Sequence, residues 1–572
     1  MSHPAITSER IDDVPLLIYW LSQMEVDRII DAQLGPQHGN RQGLSYGQLA
    51  VVFIAYVLSE CNHFLSPVQD WVLERRECLT QALGQPIRDT DFTDDRLEAL
   101  LDAVGTAEAG EQIDLAMGQH LIRAYALPTE TARIDTTTVS VYHQPEGASL
   151  LAYGVSKDHL RDLRQFKQVL GTLDPAGTPL YSATVGGQRA DDPLYLPAWR
   201  RMVQIIGCAD FLAVGDCKMA SLDTRAQIQH GQGFYLAPAP LTGDTPQELR
   251  QWVLDPPLVP QDIYLPQAGP DEPAVGQGFE VSVQRTWTAP DHEFVVSWPE
   301  RVLVVRSEKL ARRQQRALEQ RLLRAERALS VLKPGLEADL MSLTLESQAI
   351  LQKHRVADYL QVTWTAHTTE TKRYLQRGRH GPNSPFEMVT TTHWQLIQER
   401  QTEAIKTSHQ LAGWRLYLTN ATTQRLDLSR AVACYREQWQ PERGFHRLKG
   451  AALAIRPLLL RSDQRIAGLL CLLVIALRAL TLVEFVARRS LAQQPEPLQG
   501  LYAGNPTRAT TQPTTERLLK TLDNITLYRL TTDNTIWYQV TPLSDLQRRI
   551  LGLLGVPETV YTKLAEPQLA SP

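Results

Sequence analysis

Paired cysteines are missing from this chain. Its six cysteines (Cys61, Cys78, Cys208, Cys217, Cys434 and Cys471) contain no C-x-x-C and no regular spacing. That argues against a disulfide framework or a thiolate zinc site and fits reduced thiols. An overall positive charge is missing too: the formal net charge is −5, which speaks mildly against a nucleic-acid partner unless the positive charge is gathered in patches. The longest apolar run, Ile466–Leu477, falls short of the ~20 residues that a bilayer span needs, and Arg478 and Glu484 interrupt its continuation. A buried core helix is the expectation there. The opening MSHPAITSERIDD is polar and has no secretory signal, so a cytoplasmic location is expected. No internal repeat is visible.

What is present is length and patchiness. At 572 residues the chain exceeds one compact domain. Positive charge is concentrated in the middle, in Arg301–Lys333, which includes Arg312, Arg313 and Arg316, and again at Lys372, Arg373, Arg377, Arg379 and His380. The first segment reads either as an arm for DNA phosphates, with binding that weakens steeply in salt, or as the solvated face of a coiled coil.

Five segments are expected. Residues 1–125 read as helices, either a DNA-reading module or a scaffold bundle. Residues 126–225 form the first half of a mixed α/β core. The strands there are Arg133–Tyr142, Gln168–Leu173, Pro179–Val185 and Phe211–Val214, with a helix at Pro197–Ile206. Residues 226–405 break that rhythm. Strand candidates Phe279–Trp287, Phe294–Trp298 and Val302–Val305 precede a helix whose Leu318, Leu322, Ala325, Leu329 and Leu332 are spaced as a short coiled-coil seam. A return helix, Leu340–Lys353, and strands at Tyr359–Ala366 and Trp394–Gln398 follow. Residues 406–490 resume the core with a strand at Trp414–Leu418 and helices at Ser429–Leu448 and Gln464–Ala487. Residues 491–572 are a linker and a small α/β tail, with strands at Ile525–Leu530 and Thr535–Val540. Trp252, Trp287, Trp298 and Trp364 of the middle segment are expected in packing or, for one of them, in stacking on a flipped base.

The stretch Tyr435–Lys449, YREQWQPERGFHRLK, places Tyr435, Gln438, Glu442 and Lys449 at relative positions 0, +3, +7 and +14. On one unbroken helix at about 100° per residue these form a narrow stripe. Upstream, Asp135 lies inside the β-branched run ARIDTTTVSVY, where aspartate is disfavoured, and Asp216 ends the apolar run ADFLAVGD. Two aspartates on neighbouring strands and a glutamate on a packed helix make a three-carboxylate cup. Hard oxygen donors of that kind suit Mg²⁺, and a pair of such ions about 4 Å apart suits phosphodiester chemistry. Read singly, each of the three is an ordinary turn, strand or surface residue; the combination carries the inference.

On those residues the chain resembles the bacterial insertion-sequence transposases of the DDE class, in the subgroup marked Y-x-x-R-x-x-x-E-x-x-x-x-x-x-K. Tyr435, Glu442 and Lys449 match, and Gln438 stands where the subgroup has arginine. Further matches are IDTTT around Asp135, GVSKDHLRDLRQ (Gly154–Gln165), VGDCKMAS around Asp216, and Gly187–Asp191 in place of G-N-x-x-D, with Gln188 for asparagine. The resemblance implies a ribonuclease-H-like mixed-sheet core interrupted by a β-rich insertion with a helical hairpin. It implies metal binding by Asp135, Asp216 and Glu442 (Mg²⁺, with Mn²⁺ able to substitute), and DNA contacts by Tyr435, Gln438 and Lys449, of which Gln438 can hydrogen-bond a phosphate but carries no charge. Double-stranded DNA, both element ends and target, is the implied partner, with a homodimer on paired ends in a bacterial, nucleoid-associated setting. Arg436, Arg443 and Arg447 are candidates for the arginine missing at 438, and Pro441 is expected to kink the helix before Glu442. Two rival readings are a catalytically inactive, DNA-binding descendant and a stand-alone metal-dependent nuclease. A third is a structural protein without DNA affinity.

Overall fold

The β-branched, alternating stretch from Thr131 builds the sheet that positions the two aspartates. In a computed structural model, which describes residues 5–35, 42–142, 150–157, 160, 162–266, 269, 271–290, 293–334, 339–532 and 535–565, the chain divides into two units. The first comprises Met1–Ala237, Gln284–Trp298 and Cys434–Pro572, and the second Pro238–Val283 and Pro299–Ala433.

In the first unit the strands Thr131–Val141, Arg164–Leu173 and Thr178–Gly186 form an antiparallel meander. Leu212–Val214 joins the other side of Thr131–Val141 in parallel, and Phe234–Pro238 continues in parallel beyond it. Numbered along the chain, these five run 3-2-1-4-5. A meander extended by parallel strands on the side of its first member is the ribonuclease-H arrangement, so the fold is α/β with that core. The fifth strand and the preceding helix Leu222–His230 are absent from the sequence-based expectations.

The long apolar helix Asp463–Leu491 is apolar and long enough to cross a membrane, yet nearly all of it is buried in the protein, so it serves as a core helix. Tyr46–Glu60, Asp94–Val104 and Ala107–Tyr125 pack on it, and the last also covers Thr178–Gly186. Its Arg478 is fully buried and donates to the carbonyls of Pro179 and Leu180 and to Asp114. The N-terminal region is not purely helical: Ala5–Arg10 pairs with Thr526–Thr532, which pairs with Thr535–Val540.

In the second unit Trp414–Thr419 pairs antiparallel with residues 301–306 of the strand Val295–Ser307, and Gln261–Ile263 pairs antiparallel with residues 276–278 of Gly276–Thr288. The separate strands expected at Phe294–Trp298 and Val302–Val305 are one strand. Pro299 interrupts nothing, because pairing with Trp414–Thr419 begins only at Arg301 and an exposed proline there gives up no ladder hydrogen bond on that side. The seam is observed: Leu318, Leu322, Ala325 and Leu329 of Glu308–Ser330 are buried with Leu351 of the return helix Leu340–His354. Arg312, Arg313 and Arg316 lie on the exposed face of the first helix. Arg301 and Arg306 of the same basic segment are committed elsewhere, the first to Glu280 and the second to Glu308. A long ribbon, Leu360–Tyr374 with Phe386–Arg400, completes this unit with the helix Thr402–Leu411.

Candidate active site

Register places the two aspartates side by side. Thr131–Val141 and Leu212–Val214 run in parallel with Arg133 opposite Val214. Asp135 and Asp216 each lie two residues further along, at the same level where the shorter strand ends. Asp135 is half-buried and accepts the backbone N–H of Thr136 at 2.7 Å. Burial pushes its carboxyl up to about 6, with the nearby Asp216 and Glu442 adding to the rise and Lys157 opposing it. Asp216 accepts from the Tyr195 hydroxyl at 2.6 Å and from the backbone N–H of Lys218 at 2.8 Å. Burial, followed by the charge of Asp216, holds the Tyr195 phenol well above its usual range, so it stays a donor that aims the second carboxylate.

The third carboxylate belongs to a helix that packs on the Asp135 strand. Gly444 faces Leu170 and Leu477, where an added Cβ would stand 3.8 and 3.6 Å away. The expected single helix through Tyr435 and Lys449 is two helices, Leu428–Arg436 and Trp439–Lys449. At the junction the hydrogen bonds span three residues, Glu437 to Cys434, Gln438 to Tyr435 and Gln440 to Glu437. Pro441 therefore occupies the first turn of the second helix, where its missing N–H costs nothing. The break falls at Glu437 and Gln438, between the two helices, and not at Pro441. Glu442 and Lys449 keep a common face; Tyr435 and Gln438 do not belong to that stripe. Glu442 is exposed, while Tyr435, Gln438 and Lys449 are half-buried.

Gln438 faces inward to Arg133. The Arg133 guanidinium is fully buried, bonds Asp174 through two nitrogens at 2.7 and 2.6 Å, and reaches Gln438 Oε1 at 3.4 Å. The strand that bears Asp135 is thereby tied to the start of the helix that bears Glu442. Two of the three arginines considered as substitutes are engaged: Arg443 and Arg447 both bond Glu484, and Arg447 also bonds Glu516. Arg436 is exposed.

Sequence reasoning missed a cation beside Asp135. Lys157 Nζ donates to the Thr136 carbonyl and hydroxyl at 2.5 and 2.8 Å and lies 3.9 Å from Asp135 and 3.8 Å from Asp191. Lys167 bonds Asp191 in turn at 2.5 Å. Lys157 comes from the run Gly154–Gln165 and Asp191 from Gly187–Asp191. Both runs match the family pattern, so their joint meeting at Asp135 was the available signal. Their glycines permit it: a Cβ on Gly154 would stand 2.2 Å from the Gly187 carbonyl oxygen. Asp158, His159 and Arg161 of the first run lie outside the described residues.

Among the described residues, no three of the Asp, Glu, His and Cys side chains form a ready metal cage. Three carboxylates are hard oxygen donors of the kind that suits a divalent cation, and the rise of the Asp135 carboxyl, caused first by burial and in small part by Asp216 and Glu442, is what a nearby cation would oppose. The tryptophans expected in packing or stacking divide as follows. Trp298 is buried and donates to the Tyr235 hydroxyl, and Trp364 is buried and donates to Ser347, so both serve packing.

The 3-2-1-4-5 sheet order, with Asp135 and Asp216 at equal offsets on neighbouring strands, makes the first unit an α/β ribonuclease-H-like core. Residues 128–478 match the family described as Transposase DDE domain, more than half of the chain, and the chain belongs to that family. No curated protein matches the sequence. Among solved structures the chain is similar to the piggyBac transposase in the cryo-EM structure of its synaptic complex with hairpin DNA, at 10% identity and a TM-score of 0.24. That likeness covers 54% of this chain and 61% of the other, under two thirds of that protein, and a score so low defines neither fold nor activity.

Proposed function

We propose that this transposase-family protein belongs to the bacterial insertion-sequence subgroup marked by the Tyr435–Glu442–Lys449 pattern. In this reading it cuts the ends of its element and joins them to target DNA. Asp135, Asp216 and Glu442 are the proposed ligands of divalent cations, Mg²⁺ with Mn²⁺ as a substitute. When bound, such ions lower the pKa of water to make the attacking nucleophile and neutralise the departing oxygen. The protein's own part is positional. Tyr195 and the Lys218 amide fix the orientation of Asp216. Lys157 lies where a non-bridging phosphate oxygen next to Asp135 would be neutralised. Glu442 is exposed on the first turn of its helix, which packs on the Asp135 strand, and in this reading its side chain turns inward to close the site. Lys449, on the face of Glu442, and Tyr435 are the proposed phosphate contacts, and Gln438 is a structural residue. The DNA substrates are the terminal inverted repeats and the target duplex, held by a homodimer on paired ends.

The observation that carries this reading is the equal offset of Asp135 and Asp216 beyond the paired stretch of two parallel strands, with the Glu442 helix packed on the first. The test uses labelled duplexes taken from the DNA on either side of the coding sequence, with Mg²⁺, Mn²⁺ or chelator. Metal-dependent nicks, 3′-hydroxyl ends and products joined to a target plasmid are expected, all abolished in Asp135→Asn, Asp216→Asn and Glu442→Gln. Binding without any nicking in either metal would establish the inactive descendant, and nicking without joined products the stand-alone nuclease.

A further inference from the structure

The ribbon Leu360–Tyr374 and Phe386–Arg400 is paired along its whole length, from Leu360↔Arg400 to Tyr374↔Phe386. Only its base is covered within its unit. Trp364 is buried and bonds Ser347 of Leu340–His354, and Leu360 joins the cluster of Leu318, Leu322 and Leu351. Every residue from Ala366 to Asn383 is exposed. At about 3.3 Å per residue the paired strands carry the turn on the order of 30 Å past Trp364. A lone two-stranded hairpin is at best marginally stable in water, and this ribbon is a two-stranded sheet with no third strand among the described residues. A ribbon of that length with both faces open is suited to being covered by a partner.

Its side chains name the partner's chemistry. The middle is polar on both faces: Thr368, Thr369, Thr371 and Thr390–Thr392 line it, with His367 bonded to Gln395 and His393 to Thr369. Such faces do not build an apolar protein interface; hydroxyls and imidazoles suit a wet, polar one. Between residues 372 and 387, Lys372, Arg373, Arg377 and Arg379 face a single acid, Glu387. Arg373 lies 3.5 Å from Glu387, Lys372 lies over the Phe386 ring at 4.5 Å, and Tyr374 stacks on His380 at 4.0 Å. These contacts stiffen the tip and leave its cations at the surface. A two-stranded ribbon is one of the elements that the major groove of duplex DNA admits.

We propose that this ribbon is a DNA-binding arm whose basic tip enters a groove of double-stranded DNA. The inference rests on the reading of the chain as a DNA transposase, and it adds a contact remote in sequence from the three carboxylates. The arm's phosphate contacts are independent of base sequence, so element ends and target duplex are both candidates. The full chain is compared with a Lys372→Gln/Arg373→Gln/Arg377→Gln/Arg379→Gln variant by fluorescence anisotropy over a series of salt concentrations. Two probes are used, a random-sequence duplex and the DNA flanking the coding sequence. All four side chains are exposed, so the thermal unfolding of the variant should match the wild type. Without the three or four phosphates that these cations neutralise, the slope of log K against log salt should shallow by roughly 3, and affinity at moderate salt should fall on the order of 100-fold. A weakening on both probes makes the arm a general DNA contact; a weakening on the flanking DNA alone makes it an end contact. Wild-type binding with an unchanged variant overturns the arm and leaves the transposase reading standing, whereas no wild-type binding at any salt overturns both. A variant that keeps its DNA affinity but sediments as a monomer where the wild type is a dimer overturns the arm in favour of a second copy of the chain.

Discussion

Arginine at position 438 would complete the Y-R-E-K pattern, and it should nevertheless loosen the helix that carries Glu442. The reason is Arg133, fully buried, with Nη1 3.4 Å from the Gln438 amide oxygen. A bond of that length is weak, so its loss alone costs about 0.5 kcal/mol. A second guanidinium roughly 5 Å from the first adds about 3 kcal/mol of repulsion at an effective dielectric near 20. Position 438 is half-buried, so the new side chain can swing outward, and Asp174 and Glu437 offset part of the charge. About 2 kcal/mol should remain. Gln438→Met is the control. It gives up the same weak bond and also removes the Gln438 Nε2 group, which is buried without a hydrogen-bond partner, so it should be close to neutral. Unfolding of a two-unit chain is not a single transition, which makes local opening the better measure. Hydrogen exchange at the amides of Trp439–Lys449 should accelerate roughly 30-fold in Gln438→Arg and hardly at all in Gln438→Met. In Arg133→Met/Gln438→Arg most of that coupling should vanish. Equal or slower exchange in Gln438→Arg, with Arg133 in place, would refute the latch and return position 438 to the phosphate.

Burial pushes Asp13, whose carboxylate accepts from Ser59, up to about 7. The folded chain keeps this proton while the unfolded chain releases it near pH 4, so the contribution is full below pH 4 and is lost as pH rises through 7, by about 4 kcal/mol at most. Asp13→Asn should flatten the fall in Tm between pH 5 and 8, measured by calorimetry against the wild type. Arg478→Met should lower the protection from hydrogen exchange of the Asp463–Leu491 amides by about 3–5 kcal/mol, because Asp114 loses its buried guanidinium and the Pro179 and Leu180 carbonyls lose a donor. Lys157→Ala removes the cation beside Asp135. Strand cleavage should fall about 100-fold while DNA affinity changes little, and a variant that cleaves at the wild-type rate would remove Lys157 from the site.

Local pattern makes much of this architecture legible. The meander strands are β-branched and alternate, the seam of Leu318–Leu329 keeps its spacing, and the apolar run at Ile466 becomes a core helix. Asp135 stands out because aspartate seldom occupies such a strand. What stays hidden depends on partners far away in sequence. Ala5–Arg10 becomes a strand only against Thr526–Thr532, and Phe234–Pro238 only beside Leu212–Val214. The position of the helix break is hidden for a local reason: a proline after a helical run reads as a kink in a continuing helix, whereas Pro441 opens a new one. Lys157, Asp191 and Tyr195 reach the aspartates through loops and a neighbouring helix, and no periodicity encodes such a meeting.

The same separation explains how the one glutamate of Trp439–Lys449 stays exposed while its arginines are engaged. Arg443 and Arg447 are four residues apart and share a face, and both bond Glu484, a buried carboxylate of the core helix that Arg488 also meets. Gln438, at the N-terminal end, is taken by Arg133. The helix is therefore fastened to the core helix along one face and to the Asp135 strand at its start. Glu442 lies about 100° around from Arg443 and is exposed, so neither fastening consumes it. The Glu484 ion pairs hold one face of the helix, the weak Gln438 contact adds little, and in the proposed reading the side-chain torsions of Glu442 are what a bound cation would have to order.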